Sequence, residues 1–301
     1  FTIAYSAFGG TLADAVTDVL QGGLLAIGLV VVLIALLPHL GGVDEIGRVV
    51  RDPERVHLMP HGESAWTILE RWAIPVAGSV LATEIVSRVI AARSPTVARR
   101  SSFIAAAMYV CVGIIPLVIG LVGPSVMPGL ANPEQLLPEL AKSILPTVLY
   151  AVFAGALISA ILSTVDSTLL VSSSIMSHNL IVPVFRITDE KRRVRIARVG
   201  VTCFGILAYL MARRAEGILE LVEQASALGS AGTLVTAVFA LFTNWGGART
   251  AMATLVAGLA VYLVATYALH SETPFLLSLA ASLLTYVGGS MLEVSRSRSG
   301  G

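Results

Sequence analysis

Eight apolar runs, each long enough to cross a lipid bilayer, divide this chain of 301 residues. A membrane-spanning helix needs roughly 20 mostly apolar residues. Only 13% of the residues are charged, whereas a typical soluble domain carries about 25%. The sequence therefore predicts an all-α, polytopic membrane protein with about eight full transmembrane helices. These are expected at 12–38, 67–92, 100–123, 145–181, 193–212, 217–243, 249–269 and 273–292.

Basic residues between the runs predict the orientation of the helices, because cytoplasmic loops are enriched in Lys and Arg. Three arginines lie in loop 93–100, six basic residues lie in loop 186–198, and two more arginines follow the last run. Eight alternating spans put these segments on one side of a plasma (inner) membrane. Loops 93–100 and 186–198 and the C-terminus are therefore expected to be cytoplasmic. The outer side would hold segments 39–66 and 124–144.

The sequence also predicts local structure for two segments outside the apolar runs. Residues 1–8 look like the tail of one more helix, which Gly9 and Gly10 would end. Because the chain begins with Phe, an N-terminal truncation is expected. Segment 124–144 is rich in proline and is expected to form either a short amphipathic helix at the outer surface or a plain connector.

The fourth run contains the densest set of polar side chains within the predicted spans. Ala160, Ser163 and Thr164 are spaced at i, i+3 and i+4, so they share one face of a helix. Two hydroxyls and the carbonyl one turn earlier provide three neutral oxygens. Such a set suits a small hard cation such as Na⁺ if another segment completes the shell. Small and hydroxyl residues also let membrane helices pack closely, so helix packing stays open as an alternative.

Asp166 and Asp18 are carboxylates within the predicted spans, where charge is costly and a functional role is the first hypothesis. Asp166 lies in the middle of the fourth run. It is expected to be a cation contact, a protonatable site or half of a buried ion pair. Asp18 lies in the first run, deeper than a charge that only complements the start of a helix.

The second and sixth runs combine helix-breaking residues with polar groups. Pro75, Gly78 and Ser79 indicate either a broken helix that lines a cavity or a simple proline kink. The sixth run opens with three glutamates at i, i+4 and i+7, which form one acidic stripe. This stripe is either a solvated face or, at its deepest member, a contact to a substrate or gate. Its members are Glu216, Glu220 and Glu223.

The chain offers no support for soluble enzyme chemistry or for nucleic-acid binding. It contains no P-loop, GxSxG, HExxH or CxxC motif. The net charge of +1 does not favour nucleic acid as a partner. Cys111 and Cys203 lie in apolar runs and are expected to be buried small hydrophobes, not a disulfide or a metal site. The sequence therefore predicts a protein that is not an enzyme.

Three segments resemble motifs of the solute:sodium symporter family, which includes the proline, pantothenate and sugar symporters. Each motif combines small, hydroxyl or charged residues at fixed spacing within or beside an apolar run. The resemblance extends over essentially the whole chain. The three segments are Tyr5 with Gly9, Gly10, Ala13, Thr17, Asp18 and Gln21; Arg88-Val89-Ile90-Ala91-Ala92-Arg93-Ser94 with Ala98 and Arg99; and Ser163-Thr164-Val165-Asp166-Ser167 with Leu169, Leu170, Ser173 and Ser174.

The resemblance implies a LeuT-type symporter fold made of two inverted five-helix repeats and additional helices. Residues 1–38 are then the last core helix of the first repeat, and 39–66 form an external loop. Residues 67–243 are the second repeat with its five core helices. Residues 244–301 provide two additional transmembrane helices and a cytoplasmic tail. The remaining N-terminal core helices would precede residue 1 and would be a partner of this chain.

The resemblance also implies roles for individual residues, with Na⁺ as the coupling ion. The carbonyl of Ala160 and the hydroxyls of Ser163 and Thr164 correspond to the family's sodium ligands. Asp18 corresponds to an acid on the cytoplasmic route of the ion, and Asp166 is assigned to the same route. Positions that contact substrate or form the gate are small or acidic here, unlike those of sugar symporters, which makes a sugar substrate doubtful. They are Gly78, Ser79 and Glu223.

The predicted function is secondary active transport, in which a sodium gradient drives import of a small organic solute by alternating access. The predicted partners are that solute and the lipid bilayer. Two alternatives are a symporter-like sensor module of a membrane signalling protein and a fragment that does not transport. Proton coupling through Asp166 is a variant of the main prediction.

Overall fold

The computed structural model describes residues 2–52, 62–214 and 217–299, and within these ranges the chain is helical and contains no β-strand. Thirteen α-helices occur in the described part of the chain. They are α1 (Thr2–Leu36), α2 (Val43–Arg51), α3 (Ala65–Val80), α4 (Thr83–Ile90), α5 (Pro95–Val126), α6 (Leu136–Ile144), α7 (Thr147–Ile175), α8 (Val182–Val184), α9 (Glu190–Ala212), α10 (Ile218–Ala227), α11 (Ser230–Phe242), α12 (Ala248–Leu263) and α13 (Pro274–Ser299).

The expected number of membrane spans is confirmed. Seven helical stretches are long and apolar enough to cross a membrane, and a bent pair of helices makes an eighth. The bent pair is α10 and α11, which meet at 41°. Gly229 lies between them with a φ of +76°, a conformation that favours glycine. The seven stretches are Thr17–Leu40, Ala65–Ile90, Pro95–Val126, Thr147–Val184, Glu190–Ala212, Ala248–Ala268 and Pro274–Glu293.

Two expected helix breaks do not lie where the sequence placed them. Gly9 and Gly10 do not end a helix, because α1 runs without a break through both. A mid-helix glycine costs only about 1 kcal/mol, less than leaving backbone groups unpaired in lipid. In the second span, α3 passes through Pro75, and the interruption lies at residues 81 and 82, before α4 begins.

The helices group into two compact units. The first unit contains α1, α2, α5 to α9 and the part of α4 from residue 87 onward. Its core includes Val32, Leu36, Ile119 and Val122, each at most 1% exposed. A Cβ atom added to Gly28 of α1 would lie 2.7 Å from the Phe153 ring of α7, so glycine permits this close packing.

Segment 124–144 contains a short helix, as in the first of its two expected alternatives, and the place of this helix at the outer surface stays a prediction. The helix is α6, and a turn of 3-10 helix at Pro133–Gln135 precedes it. Leu140 and Ala141 on α6 are fully buried in the core of the first unit. Packing of this apolar face, with charged residues on the remaining surface, explains why the segment is helical.

The second unit contains α3, the beginning of α4 and α10 to α13. Its core is formed by Ile74, Ala77, Ala227, Ala231, Tyr262 and Phe275. The hydroxyl of Tyr286 on α13 donates to the carbonyl of Trp245 at 2.9 Å, and its ring stacks on Phe239. These contacts fix the segment that joins α11 to α12.

The expectation that both cysteines are buried is wrong. Cys111 on α5 and Cys203 on α9 are free and exposed. Both helices place apolar side chains on the molecular surface, as spans in a bilayer do, so an apolar surrounding in sequence does not imply burial.

Candidate functional site

Asp18 is the centre of a polar cluster in the first unit. Its Oδ1 accepts a hydrogen bond from the hydroxyl of Ser163 on α7, and its Oδ2 accepts from Nη2 of Arg88 on α4. The Asp18 side chain is 15% exposed, whereas that of Arg88 is 60% exposed. A partly buried carboxylate is thus held by one hydroxyl and one guanidinium, and both partners are side chains that can rotate away.

The predicted cation ligands lie on one turn of α7. The hydroxyl of Thr164 donates to the carbonyl of Ala160 at 3.1 Å, so these two oxygens are adjacent. Ser163 follows on the same face and donates to Asp18. In these contacts each hydroxyl uses its donor and keeps acceptor lone pairs. The face therefore combines neutral oxygens with a nearby carboxylate, a donor set of the type that hard cations prefer.

Asp166 follows Ser163 by one turn of α7 and lies on the opposite side of the helix from Thr164. Its side chain is 3% exposed, and that of its neighbour Ser167 is 7% exposed. Two turns after Asp166, Ser173 donates to the carbonyl of Ala197 on α9. The side of α7 that carries Asp166 is therefore packed within the first unit, whereas Thr164 is exposed.

The predicted substrate positions lie in the second unit, on α3 and α10. A Cβ atom added to Gly78 would lie 2.8 Å from Cβ of Ser226 and 3.1 Å from its backbone atoms, so the two helices approach each other closely there. Ser79 is exposed. Glu223 is half-buried and lies one turn before Ser226 on α10. Of the acidic stripe, Glu216 and the side chain of Glu220 lie outside the described residues.

Glu70 has a role that the sequence did not indicate. Its side chain is 4% exposed. Its two carboxylate oxygens accept from the backbone N–H groups of Phe275, at 2.5 Å, and Leu276, at 2.8 Å. The first N–H groups of a helix have no partner within it, and a carboxylate there also complements the helix dipole. Glu70 therefore caps α13 from a distant point of the chain.

The structure brings together some of the predicted residues. Asp18 and Ser163 are in direct contact, and Ala160, Ser163 and Thr164 share one turn. Sequence reasoning did not pair Arg88 with Asp18, although both lie in motif segments near the span ends that were expected to face the cytoplasm. Such pairing depends on how α1 and α4 meet, which spacing along one helix does not encode.

Comparison with known proteins identifies the family. Residues 1–258 match the model of the sodium:solute symporter family. The chain belongs to this family. It is 23% identical to the sodium/pantothenate symporter of Haemophilus influenzae over 97% of this chain and 62% of that protein. It is 27% identical to the high-affinity proline transporter of Bacillus subtilis over 87% of this chain and 57% of that protein.

A solved structure shows the same fold. It is a substrate-bound, outward-open state of a Na⁺-coupled sialic acid symporter, with a TM-score of 0.76 and 20% sequence identity. The match covers 96% of this chain and 64% of that one. The predicted fold class, an all-α polytopic membrane protein of the LeuT type, is confirmed. The chain spans about three fifths of the length of the relatives it matches.

Proposed function

We propose that the protein is a sodium-coupled symporter that imports a small organic solute by alternating access. The observation that carries this proposal is the α7 face of Ala160, Ser163 and Thr164, in a chain of the sodium:solute symporter family. Na⁺ would bind to the carbonyl of Ala160 and the two hydroxyls. Residues 1–38 and 67–243 would belong to two inverted repeats, with the remaining core helices before residue 1 and additional helices in 244–301.

Coupling requires that the ion bind one conformation more tightly than another. The Asp18 cluster provides a physical basis for such a difference. Na⁺ near Ser163 would attract the Asp18 carboxylate, which also pairs with Arg88. If the carboxylate turned from Ser163 or Arg88 toward the ion, the side-chain bonds that join α1 to α4 and α7 would change. Ion binding would then alter how these three helices contact each other. We assign Asp18 and Asp166 to the route that the ion follows.

The solute is proposed to contact the second unit near Gly78, Ser79 and Glu223. The close approach of Gly78 to Ser226 leaves no room for a larger side chain at this crossing. The small and acidic residues at these positions favour a small polar solute over a sugar, which needs several hydrogen-bonding side chains. Proline and pantothenate, which the names of the two relatives contain, are the first solutes to test.

The proposed location is the plasma (inner) membrane. Segments 93–100 and 186–198 and the C-terminus would face the cytoplasm, because they carry most of the basic residues of the chain. Cysteine accessibility to an impermeant reagent, scanned through segment 186–198 in sealed vesicles, tests this orientation.

The central experiment is uptake by the intact protein in proteoliposomes. Radiolabelled proline, pantothenate, a monocarboxylate and a polyol are offered with an inward gradient of Na⁺, of H⁺ or of choline. We expect accumulation of one solute with the Na⁺ gradient alone. Accumulation driven equally by H⁺ without Na⁺ would contradict sodium coupling and favour a protonatable Asp166.

A further inference from the structure

A cavity of about 490 Å³ lies in the first unit, between the end of α7 and the beginning of α9. The residues that line it include none of those proposed to contact the ion or the solute. One wall follows α9, where the lining residues recur at i, i+4 spacing: Arg193 with Ala197, and Val194 with Arg198. The other wall contains Ser173 and His178. The hydrogen bond from Ser173 to the carbonyl of Ala197 joins the two walls.

The charge of this cavity is predominantly positive. Arg193 and Arg198 line it together with the acid Glu190. Arg193 is half-buried and donates from Nε to the carbonyl of Ile187 at 3.0 Å, which anchors its guanidinium at the cavity wall. A second cavity of about 430 Å³ shares Glu190 and Arg198 and adds Lys191 and Arg195. The basic surface therefore continues around the first turns of α9.

An apolar segment lies beside the basic wall. Between His178 and Thr188, which both line the cavity, the chain exposes large apolar side chains. Leu180 is 60% exposed, Val184 65% and Phe185 72%. The span Glu190–Ala212 begins at the basic residues, so this region lies at the level where headgroups meet acyl chains. Basic pockets between spans at such a level are suited to anionic headgroups.

We propose that this cavity binds the phosphate headgroup of an anionic phospholipid. The guanidinium groups of Arg193 and Arg198 donate to the phosphate oxygens, as arginine forks do with phosphate. Acyl chains extend along Leu180, Val184 and Phe185. Glu190 opposes the phosphate charge and keeps the affinity moderate, so the lipid exchanges. Because the site joins α7 to α9, the lipid stabilises the helix that carries the proposed sodium ligands.

The test is native mass spectrometry of the detergent-solubilised intact protein, titrated with phosphatidylglycerol. We expect one saturable lipid, and binding of this lipid about tenfold weaker in Arg198→Gln and weaker still in the double variant with Arg193→Gln. Glu190→Gln removes the opposing charge and is expected to tighten binding by about threefold. The control variant Arg99→Gln with Arg100→Gln removes two exposed arginines of α5 and is expected to leave the affinity unchanged.

Two further titrations distinguish the source of the phosphate. Phosphatidylcholine is expected to bind at least about tenfold more weakly, because its headgroup has no net charge. Glycerol 3-phosphate is expected not to displace phosphatidylglycerol at equal concentration. Displacement by glycerol 3-phosphate would show a soluble-anion site and overturn the proposal. An equal loss of lipid affinity in the control variant would also overturn the proposal, as would an unchanged affinity in Glu190→Gln. If the arginine variants do not fold, the titration of Glu190→Gln still decides.

Discussion

Two carboxylates in membrane spans, Asp18 in the first unit and Glu70 in the second, are held in different ways. Asp18 accepts from side chains of Ser163 and Arg88. Glu70 accepts from backbone N–H groups at the start of α13. Side-chain partners can rotate and exchange, whereas the N–H groups of a helix start are fixed by the fold. An acid within a span is therefore a functional candidate mainly when its partners are mobile side chains.

The two units also differ in how their uncharged site residues are held. On α7 of the first unit, the hydroxyls of Ser163 and Thr164 bond to a side chain and to their own helix. On α3 of the second unit, the backbone atoms of Ser226 leave no space for a side chain at Gly78. We expect changes at Glu70 and at the crossing of Gly78 with Ser226 to lower stability, and changes in the Asp18 cluster to alter mainly the response to sodium.

The largest expected effect is the loss of stability in Glu70→Gln. The amide of Gln has one acceptor oxygen, so one N–H of Phe275 or Leu276 would remain unpaired in an apolar region. The cost is about 3 kcal/mol, read as a lower midpoint of thermal unfolding in detergent. Glu139→Gln is the control, because Glu139 is 43% exposed and its 3.9 Å contact with Lys142 contributes less than about 1 kcal/mol. If Glu70→Gln leaves the unfolding midpoint unchanged, the two N–H bonds of Glu70 do not stabilise the start of α13, and the contrast with Asp18 does not hold.

A smaller loss of stability is expected for Gly78→Ala. The new Cβ would collide with Ser226, where the nearest atoms include backbone that cannot move aside. Overpacking of this kind costs about 2 kcal/mol. Gly120→Ala provides the matched control, since apart from its chain neighbours and the nearby backbone of α5 no described atom lies within 4 Å of the added Cβ. If both variants unfold at the same temperature, the α3–α10 crossing is looser than its geometry indicates.

For Ser163→Ala, we expect a change in sodium response with little change in stability. Loss of one proposed ligand should raise the Na⁺ concentration for half-maximal uptake by about tenfold, and Thr164→Ala should behave alike. The control is Thr168→Ala, because its hydroxyl also bonds back to its own helix, to the carbonyl of Thr164. If sodium activates uptake unchanged in both variants, Ser163 and Thr164 are not sodium ligands.

The smallest expected effect is the coupling between Asp18 and Arg88. A double-mutant cycle with Asp18→Asn and Arg88→Gln should give about 1 kcal/mol in unfolding free energy, because the arginine is 60% exposed and solvent weakens the pair. Sodium-driven uptake, measured in the same variants, should fall more in Asp18→Asn than in Arg88→Gln. A coupling energy of zero would mean that the pair does not hold α1 to α4.

Several features were predictable from sequence because they depend on neighbours along the chain. The eight spans follow from apolar run length, and the shared face of Ala160, Ser163 and Thr164 follows from helical periodicity. The α6 helix was one of two expected alternatives. The burial of Cys111 and Cys203 was predicted wrongly, because hydropathy does not tell which side of a span faces protein.

The sequence by itself determined that this protein is a set of membrane helices of the sodium:solute symporter family, because hydropathy and motif spacing are local properties. Only the tertiary structure decided which polar groups meet. Glu70 bonds to Phe275 across 205 residues of sequence, and Asp18 bonds to Ser163 across 145. Such pairs depend on how the helices pack, and that geometry depends on many side chains together rather than on any one segment.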